Sequence, residues 1–196
     1  MLVTNHEGLA ELTRSMRAHG WVRNMDSAKK YSQQYPELDP RFLFISTGFN
    51  VRPTEINGIL GISQLQKLDK FNQKRNFIKS KWDADLKTLY DCNKLKIVKI
   101  TDRTEAAPFG YPVLCENKII RNAFQNYLEK HGIETRPIVC GNITRQPAMK
   151  YYAHRVYDEL SGADKVMDCG IYWGLHPMMT DQQIDYVSST ILEFFK

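Results

Sequence analysis

The sequence has little that would place the chain in or across a membrane. No apolar run approaches the ~18 residues that a membrane-spanning helix needs. The mostly apolar residues 1–4 are followed by Asn5, His6 and Glu7, not by the apolar core of a signal peptide. We therefore expect a cytoplasmic protein with no membrane partner.

The sequence also lacks the short motifs of several common chemistries. Its five histidines are far apart, and its four cysteines form no C-x-x-C pair and have no histidine at zinc spacing. It contains no P-loop, no G-x-G-x-x-G and no Ser-His-Asp order. We predict no metal site, and we expect the cysteines to be buried thiols: Cys92, Cys115, Cys140 and Cys169.

Charge of one sign is only slightly in excess. Of the 196 residues, 27 are lysine or arginine and 22 are acidic, which gives a net charge of +5. The densest basic cluster, residues 67–87, also carries Asp69, Asp83 and Asp85, as a solvated helix face does. A basic nucleic-acid-binding domain, which would bind with a steep salt dependence, remains a hypothesis without a recognisable module, and we expect no nucleic-acid partner.

What is present is the pattern of a folded protein, with 42% hydrophobic residues. A T-x-x-E capping box at residues 4–7 predicts a helix closed by Gly20, after the end of a strand. Residues 21–47 look irregular, with a short helix near residues 27–34. Apolar residues in steps of three or four over residues 56–89 predict a long amphipathic helix or a kinked pair. Gly58 and Gly61 within it indicate a closely packed backbone neighbour.

The pattern changes after residue 91. Residues 96–100 and 111–115 are predicted strands, and a helix is predicted from Lys118 to Gly132. Residues 133–139 are a further strand candidate, limited to an edge by its proline. A capping box at residues 180–183 opens a last helix. We predict two domains: residues 1–91, which end in the long helix, and residues 92–196, a small α/β domain.

The stretch GFNVRPTEI, residues 48–56, places polar side chains immediately before the long helix. Asn50, Arg52 and Glu55 could form an ordinary polar turn. Alternatively, an amide ahead of a helix start can donate to a phosphate oxygen, which the helix dipole also favours. We keep Glu55 as a structural residue.

A second polar cluster lies in IETRPIVCGNITRQPAM, residues 133–149. Its Glu134, Arg136, Asn142 and Arg145 could line a pocket for phosphates or sugar hydroxyls, because arginine forks match phosphate geometry. A polar surface loop held by salt bridges is the alternative.

The two clusters resemble one family when taken together. GFNVRPTEINGILGISQLQKLDKF is similar to the segment that joins the large domain to the long helix in the DegT/DnrJ/EryC1/StrS family of pyridoxal-phosphate (PLP) sugar enzymes. MLVTNHEGLAELTRSMRAHG, HGIETRPIVCGNITRQPAM and LHPMMTDQQIDYV resemble other segments of the same family, so the resemblance covers essentially the whole chain. It is strongest to the nucleotide-sugar 3-dehydratases of the GDP-4-keto-6-deoxymannose and CDP-4-keto-6-deoxyglucose types.

The resemblance implies an α/β fold class: the C-terminal part of a PLP-dependent transferase of fold type I, similar to aspartate aminotransferase, with a long linking helix and a small α/β domain. It implies that Asn50 contacts the cofactor phosphate in the neighbouring subunit of a homodimer with a shared active site, supported by Arg52. It places four residues on the side of the nucleotide-linked deoxyhexose: Glu134, Arg136, Asn142 and Arg145.

The sequence also departs from the family. The family's cofactor-binding lysine, replaced by histidine in the 3-dehydratases, which use pyridoxamine phosphate (PMP), would precede Met1. We therefore expect the C-terminal part of an enzyme, with no catalytic residue of its own, inactive alone and retaining no PLP or PMP. Lys150 and the other lysines are expected at the surface. Residues 20–47 contain no cysteine, so no iron–sulfur cluster is expected.

Two interpretations of function remain open at this point. One is a portion of an enzyme of lipopolysaccharide O-antigen or deoxysugar biosynthesis, which performs 3-dehydration or 4-amination. The other is a non-catalytic module that binds sugar nucleotides or dimerises through the long helix. A half-domain without its partner strands exposes apolar surface, so we also expect self-association or poor solubility.

Overall fold

The computed structural model describes residues 2–23, 25–101, 104 and 106–196. The chain divides into two compact units, residues 1–65 and residues 66–196. The division falls inside the long helix, and the predicted domain boundary at residues 91/92 stays a prediction. Within the described residues, no helix combines the length and the apolarity needed to cross a bilayer.

The first unit begins with helix α1, Glu7–Met16. The predicted capping box is wrong, because the His6 ring, not Thr4, accepts the hydrogen bond from the Leu9 amide that caps the helix. Residues 2–4 form no strand, and residue 1 of that predicted strand end lies outside the described residues. Helix α1 also ends before Gly20, which lies four residues further on with φ +87°.

The connection after α1 contains helix α2, Ala28–Gln34, and a short 3-10 helix, Pro40–Phe42. The short helix predicted near residues 27–34 is therefore confirmed. The connection encloses a small apolar cluster of Val22, Met25 and Leu43. This cluster holds the two ends of the connection side by side.

The long apolar pattern forms helix α3, Glu55–Asp85, followed after Leu86 by the short helix α4, Lys87–Asp91. Of the two alternatives, the long helix is confirmed as far as Asp85, and a short second helix follows it. The apolar side chains near the start of α3 are exposed: Ile56, Ile59, Ile62 and Leu65. The expectation of a close backbone neighbour at Gly58 and Gly61 is wrong for this chain, because a Cβ there would meet nothing within 4 Å among the described residues.

The second unit is built around a four-stranded antiparallel sheet. Its strands are β1 (Leu95–Ile97), β2 (Gly110–Cys115), β3 (Thr135–Arg136) and β4 (Gly170–Gly174), in the spatial order β1-β2-β4-β3. Strand β4 is thus internal and pairs with both β2 and β3. The strand predicted at 111–115 is confirmed, the one predicted at 96–100 is shorter, and the candidate at 133–139 shrinks to two residues before Pro137.

The described part of the second unit also contains the α-helices α5 (Lys118–Lys130), α6 (Ser161–Cys169) and α7 (Asp181–Phe194), and two short 3-10 helices, Ile143–Arg145 and Pro147–Tyr151. The predicted capping box at the start of α7 is confirmed, because Thr180 and Gln183 exchange the two hydrogen bonds that define it. The sequence reasoning missed α6 and β4. Both follow the irregular residues 152–160, where no capping pattern announces a helix.

The core of the second unit is aromatic. Trp173 of β4 stacks on Tyr111 of β2 with ring centroids 5.1 Å apart, and it lies edge-on to Trp82 and Phe124. The Trp82 indole donates to the Ile184 carbonyl over 3.0 Å, which ties α3 to α7. A buried indole usually has such a partner, and this bond fixes the orientation of the Trp82 ring.

The cysteine expectation is only half right. Cys115 and Cys169 are buried, whereas Cys140 is half-buried and Cys92 is exposed, at the end of α4. Burial raises the pKa of the Cys115 thiol to about 12. Such a thiol is a poor nucleophile near neutral pH, which is consistent with a packing role.

Candidate functional site

The segment that carries Asn50 is held in place by backbone hydrogen bonds. Residues 43–51 run antiparallel to residues 16–22, with Phe49 donating to the Met16 carbonyl over 2.6 Å and Val51 donating to the Arg17 carbonyl over 3.0 Å. Asn50 sits between these two bonds and forms an isolated bridge with Ala18. Its side chain is exposed, while its backbone is fixed from both sides.

Two glycines make this pairing sterically possible. A Cβ at Gly20, whose φ is +87°, would overlap the Ser46 carbonyl. A Cβ at Gly48 would overlap the Gly20 nitrogen. The two backbones therefore approach each other at positions where only glycine fits, and this approach sets the position of Asn50.

A depression of about 540 Å³ lies between the end of α1 and the start of α3. Asn50 and Arg52, which the sequence analysis predicted to bind the cofactor, both line it. Arg17 lines it as well, and the sequence reasoning missed that residue. In the sequence, the only sign of this role was a basic residue close to the His19-Gly20 turn. That sign can be interpreted only once residues 16–22 are known to run antiparallel to residues 43–51. The remaining lining residues are Pro53, Thr54 and Glu55.

The donors of this depression suit an anionic group. Arg17 and Arg52 present only N–H donors, the Asn50 amide adds two more, and the first turn of α3 has unpaired backbone N–H groups. Glu55, in that first turn, adds the one carboxylate among the lining residues. Two cationic groups against one anionic group leave a net attraction for phosphate.

In the second unit, two of the four predicted substrate residues form an exposed ion pair. The Arg136 guanidinium donates to the Glu134 carboxylate over 2.5 Å at the edge of the sheet. Thr135, between them, is buried and donates to Glu129 over 2.7 Å. The pair therefore lies at the surface of a strand whose other face is packed.

The other two predicted residues meet on a carboxylate that the sequence analysis did not single out. Asp164 of α6 accepts from the Asn142 amide over 2.7 Å and from the Arg145 Nη2 over 2.8 Å. The hydrogen bonds from Arg145, followed by that from Asn142, lower the Asp164 pKa to about 2, and Asp164 raises the pKa of Arg145. Because α6 was not predicted, the sequence offered no sign that Asp164 would lie here.

The structure thus brings the predicted residues together in pairs. Asn50 and Arg52 share one depression, Glu134 binds Arg136, and Asn142 and Arg145 share Asp164. In the part of the chain that the structure describes, no hydrogen bond or ion pair joins the Glu134 pair to the Asp164 cluster. The described residues also contain no group of three His, Cys, Asp or Glu side chains that could hold a metal ion.

The chain combines a long helix, a donor-lined depression at the start of that helix, and an α/β unit with an antiparallel sheet. Residues 1–192 match the DegT/DnrJ/EryC1/StrS aminotransferase family, and the chain belongs to that family. The resemblance drawn from the sequence motifs is confirmed by this match.

Two curated relatives identify the branch. The GDP-4-keto-6-deoxy-D-mannose 3-dehydratase of Escherichia coli O55:H7 (strain CB9615 / EPEC) is 28% identical over 193 residues, which are 97% of this chain and 49% of the relative. The dTDP-4-dehydro-2,6-dideoxy-D-glucose 3-dehydratase of Saccharopolyspora spinosa is 32% identical over 161 residues, 81% of this chain and 34% of the relative. The predicted likeness to nucleotide-sugar 3-dehydratases is confirmed.

A solved structure confirms the fold class. The E. coli GDP-4-keto-6-deoxy-D-mannose-3-dehydratase with bound hydrated PLP superposes with a TM-score of 0.77 at 28% identity, covering 96% of this chain and 49% of that one. The α/β arrangement is therefore part of a PLP-dependent transferase fold. The chain spans about half the length of this structure, as it does of the E. coli relative.

Proposed function

We propose that this chain is the C-terminal portion of a PLP- or PMP-dependent enzyme that acts on a nucleotide-linked 4-keto-6-deoxyhexose. The reaction is 3-dehydration or 4-amination, in lipopolysaccharide O-antigen or deoxysugar biosynthesis. The observation that carries the proposal is the depression lined by Arg17, Asn50 and Arg52. Support comes from the family match and from the relatives, whose names describe 3-dehydratases of nucleotide-linked sugars.

The depression fits the phosphate of the cofactor. Asn50 and Arg52 would hold that phosphate, with Arg17 as a third donor that the family resemblance did not suggest. When bound, the cofactor supplies an electron sink, and the chain's own residues orient it and keep its phosphate in place. In the complete enzyme we propose a homodimer in which this depression serves the active site of the neighbouring subunit.

The substrate side is proposed to lie in the second unit. Arg136 and Arg145 carry guanidinium groups that recognise diphosphate oxygens, and Asn142 lies beside Arg145 on the same carboxylate. Both arginines are exposed and already oriented by carboxylates, so a ligand meets them in fixed positions. The identity of the nucleotide and the sugar stays open within this proposal.

We further propose that the isolated chain does not catalyse the reaction. None of the described residues that line the depression is a lysine or a histidine, so this site offers no amine to bond to the cofactor aldehyde and no imidazole in its place. Reversible binding of the phosphate group is expected without a covalent bond.

A cofactor-binding experiment tests both parts of the proposal. The purified chain is incubated with PLP, dialysed, reduced with borohydride and analysed by mass spectrometry, while reversible PLP binding is followed by calorimetry. We expect no stoichiometric lysine adduct, and weaker reversible binding in Asn50→Ala and Arg52→Ala. Arg41→Ala is the control, because Arg41 lies in the same unit but pairs with Asp39. A single fully modified lysine, or unchanged binding in Arg52→Ala, would contradict the proposal.

One observation favours a second candidate, a non-catalytic module that dimerises or binds sugar nucleotides. The exposed face of α3 combines large apolar side chains with two glycines three residues apart, at which nothing within 4 Å would meet a side chain. Small residues on an apolar face let a second backbone approach closely. Stable dimers that bind a nucleotide sugar but take up no PLP would support this candidate over the enzyme portion.

A further inference from the structure

Asp164 is the point at which the loop of residues 141–145 is attached to helix α6. Its Oδ1 accepts from the Asn142 Nδ2 over 2.7 Å and from the Arg145 Nε over 3.2 Å, and its Oδ2 accepts from the Arg145 Nη2 over 2.8 Å. The two bonds from Arg145 form a fork, the geometry in which a carboxylate restrains a guanidinium most strongly.

The loop is attached to α6 in a second way. Gly141 has φ +62°, and a Cβ there would overlap the side chain of Met167, one turn along the same helix. Asn142 is 2% exposed, and its Oδ1 accepts from both the backbone nitrogen and the hydroxyl of Thr144. The backbone that leads to Arg145 is therefore fixed before the side chain reaches Asp164.

This attachment leaves part of the Arg145 guanidinium available. Its side chain is 60% exposed although it bonds Asp164 through two nitrogens. Within the described part of the chain, its third nitrogen, Nη1, donates to no protein acceptor. A guanidinium carries five N–H donors, so a restrained Arg145 still presents several of them in a defined direction.

We propose that Asp164 is a positioning residue, which orients Arg145 toward the diphosphate of the nucleotide-linked sugar. This inference rests on the function proposed above, in which Arg145 is on the substrate side. It adds Asp164 to the proposed substrate side, where the sequence motifs placed four other residues. Asp164 acts through Arg145 and does not itself touch the ligand.

A simpler account of Asp164 makes the opposite prediction. If the carboxylate only neutralised Arg145, removing its charge would leave a freer cation and strengthen the binding of an anion. If the carboxylate positions Arg145, removing its charge releases a flexible side chain that must be ordered again on binding, which weakens the binding. The two accounts therefore differ in the sign of one measurement.

The measurement is the affinity of the full chain for GDP, CDP and dTDP by titration calorimetry. For the diphosphate that the wild type binds, we expect Asp164→Asn to weaken binding about tenfold, the cost of ordering one long side chain. Asp164→Glu keeps a carboxylate and should recover part of the loss. Asp168→Asn is the matched control, because Asp168 lies on the same helix but pairs with Lys118.

A double-mutant cycle measures the coupling between Asp164 and Arg145 in diphosphate binding. A purely structural role of Asp164 would give no such coupling. Arg145→Ala should weaken binding, and adding Asp164→Asn to it should cause no further loss, because the carboxylate then has no guanidinium to orient. Arg145→Lys, which keeps the charge but cannot form the fork, should weaken binding as Asp164→Asn does. If Asp164→Asn fails to fold, Asp164→Glu decides the question, because it keeps the charge but displaces the carboxylate: positioning predicts weaker binding than in the wild type, and neutralisation alone predicts no weakening.

The outcomes separate this inference from the proposed function. A wild-type chain that binds none of the three diphosphates would contradict the substrate side of the proposed function, and the inference with it. Wild-type binding with equal or tighter binding in Asp164→Asn would overturn the inference alone. Equal losses in Asp164→Asn and Asp168→Asn would also overturn it, because they would indicate a general effect of charge on α6.

Discussion

The two compact units differ most in how much apolar surface they enclose. Among the described residues, the second unit buries a continuous cluster of seventeen side chains, which includes Trp82, Trp173 and Phe124, whereas the buried cluster of the first unit consists of three. Helix α3 shows the same difference along its length: Ile59 near its start is 69% exposed, while Ile78 in its second half is fully buried. We therefore expect the second unit to fold on its own and the first unit, whose apolar side chains on α3 are exposed, to need a further surface.

The largest expected effect comes from separating the units. We expect residues 66–196 to unfold cooperatively, residues 1–65 to show no cooperative transition, and residues 92–196 to fail as well. The last fragment lacks Ile78, Trp82 and Leu86, whose loss at ~2–5 kcal/mol each would together be as large as a typical stability of ~5–15 kcal/mol.

Circular dichroism during denaturant titration measures whether each of the three fragments unfolds cooperatively. A cooperative transition in residues 92–196 would place the boundary where the sequence pattern predicted it. A cooperative transition in residues 1–65 would remove the contrast between the units.

Matched tryptophan substitutions compare the two units directly. Trp173→Ala should destabilise the chain by ~3–5 kcal/mol, because Trp173 is 1% exposed and contacts three other aromatic rings. Trp21→Ala in the first unit should cost about 1 kcal/mol, because Trp21 stacks on Phe44, itself half exposed. Urea unfolding at equilibrium measures both, and equal losses would show that the packing of this tryptophan in the first unit contributes as much stability as that of Trp173 in the second.

A charge on the exposed face of α3 should disturb association without disturbing the fold. If this face packs against a second copy of the chain, Ile62→Glu should raise the dissociation constant of the dimer at least about tenfold, because a buried carboxylate without a partner is costly. Gln64→Glu, which changes a polar residue on the same helix, should have little effect. Sedimentation velocity over a range of concentrations checks both, and a monomeric wild type would show that this face does not pair two copies of the isolated chain.

The smallest expected effect is on the acid side of the stability profile. The pKa of Asp164 is about 2, below its usual ~3.9, so its contribution to stability is fully present above that usual value and is lost as the pH falls through 2. Asp164→Asn should lower the urea midpoint by a constant amount above about pH 5 and by a decreasing amount below it.

Asp39 provides the counterpart in the first unit. Hydrogen bonds from Arg41, only two residues away, lower its pKa to about 2 as well. A contact between residues only two positions apart can persist in the unfolded chain, so the pKa of Asp39 differs less between the two states. Asp39→Asn should therefore change the pH dependence of stability less than Asp164→Asn does. The reverse order in urea titrations between pH 2 and 7 would show that sequence separation does not matter here.

The sequence predicted the elements that carry their own local signals. Thr180 with Gln183 marks the start of α7, and the apolar steps after Pro53 mark α3, because caps and helical periodicity depend only on nearby residues. At the first helix the same signal misled, since the His6 ring occupies the capping position that the pattern assigned to Thr4. A capping box is a preference that another acceptor two residues away can override.

The candidate site could be predicted only in part, for the same reason. Asn50 and Arg52 are two residues apart in the sequence and share one depression, so their motif carried the information. Arg17 and Asp164 join their clusters through the crossing of residues 16–22 with 43–51 and through the packing of the loop on α6. Contacts between distant segments leave no local pattern, and a family resemblance does not supply residues outside its motifs.

The position of β4 has a consequence for how the chain is made. β4 lies between β2 and β3 in the sheet, yet both of these strands precede it in the sequence and leave the ribosome first, and its Ile171 pairs with Val113 of β2. Until residue 174 emerges, the edges of β2 and β3 that will meet it have no partner. Such late, non-local pairing slows folding and leaves strand edges open to other chains. During synthesis, the unit with the larger core is therefore the one that most needs protection from aggregation.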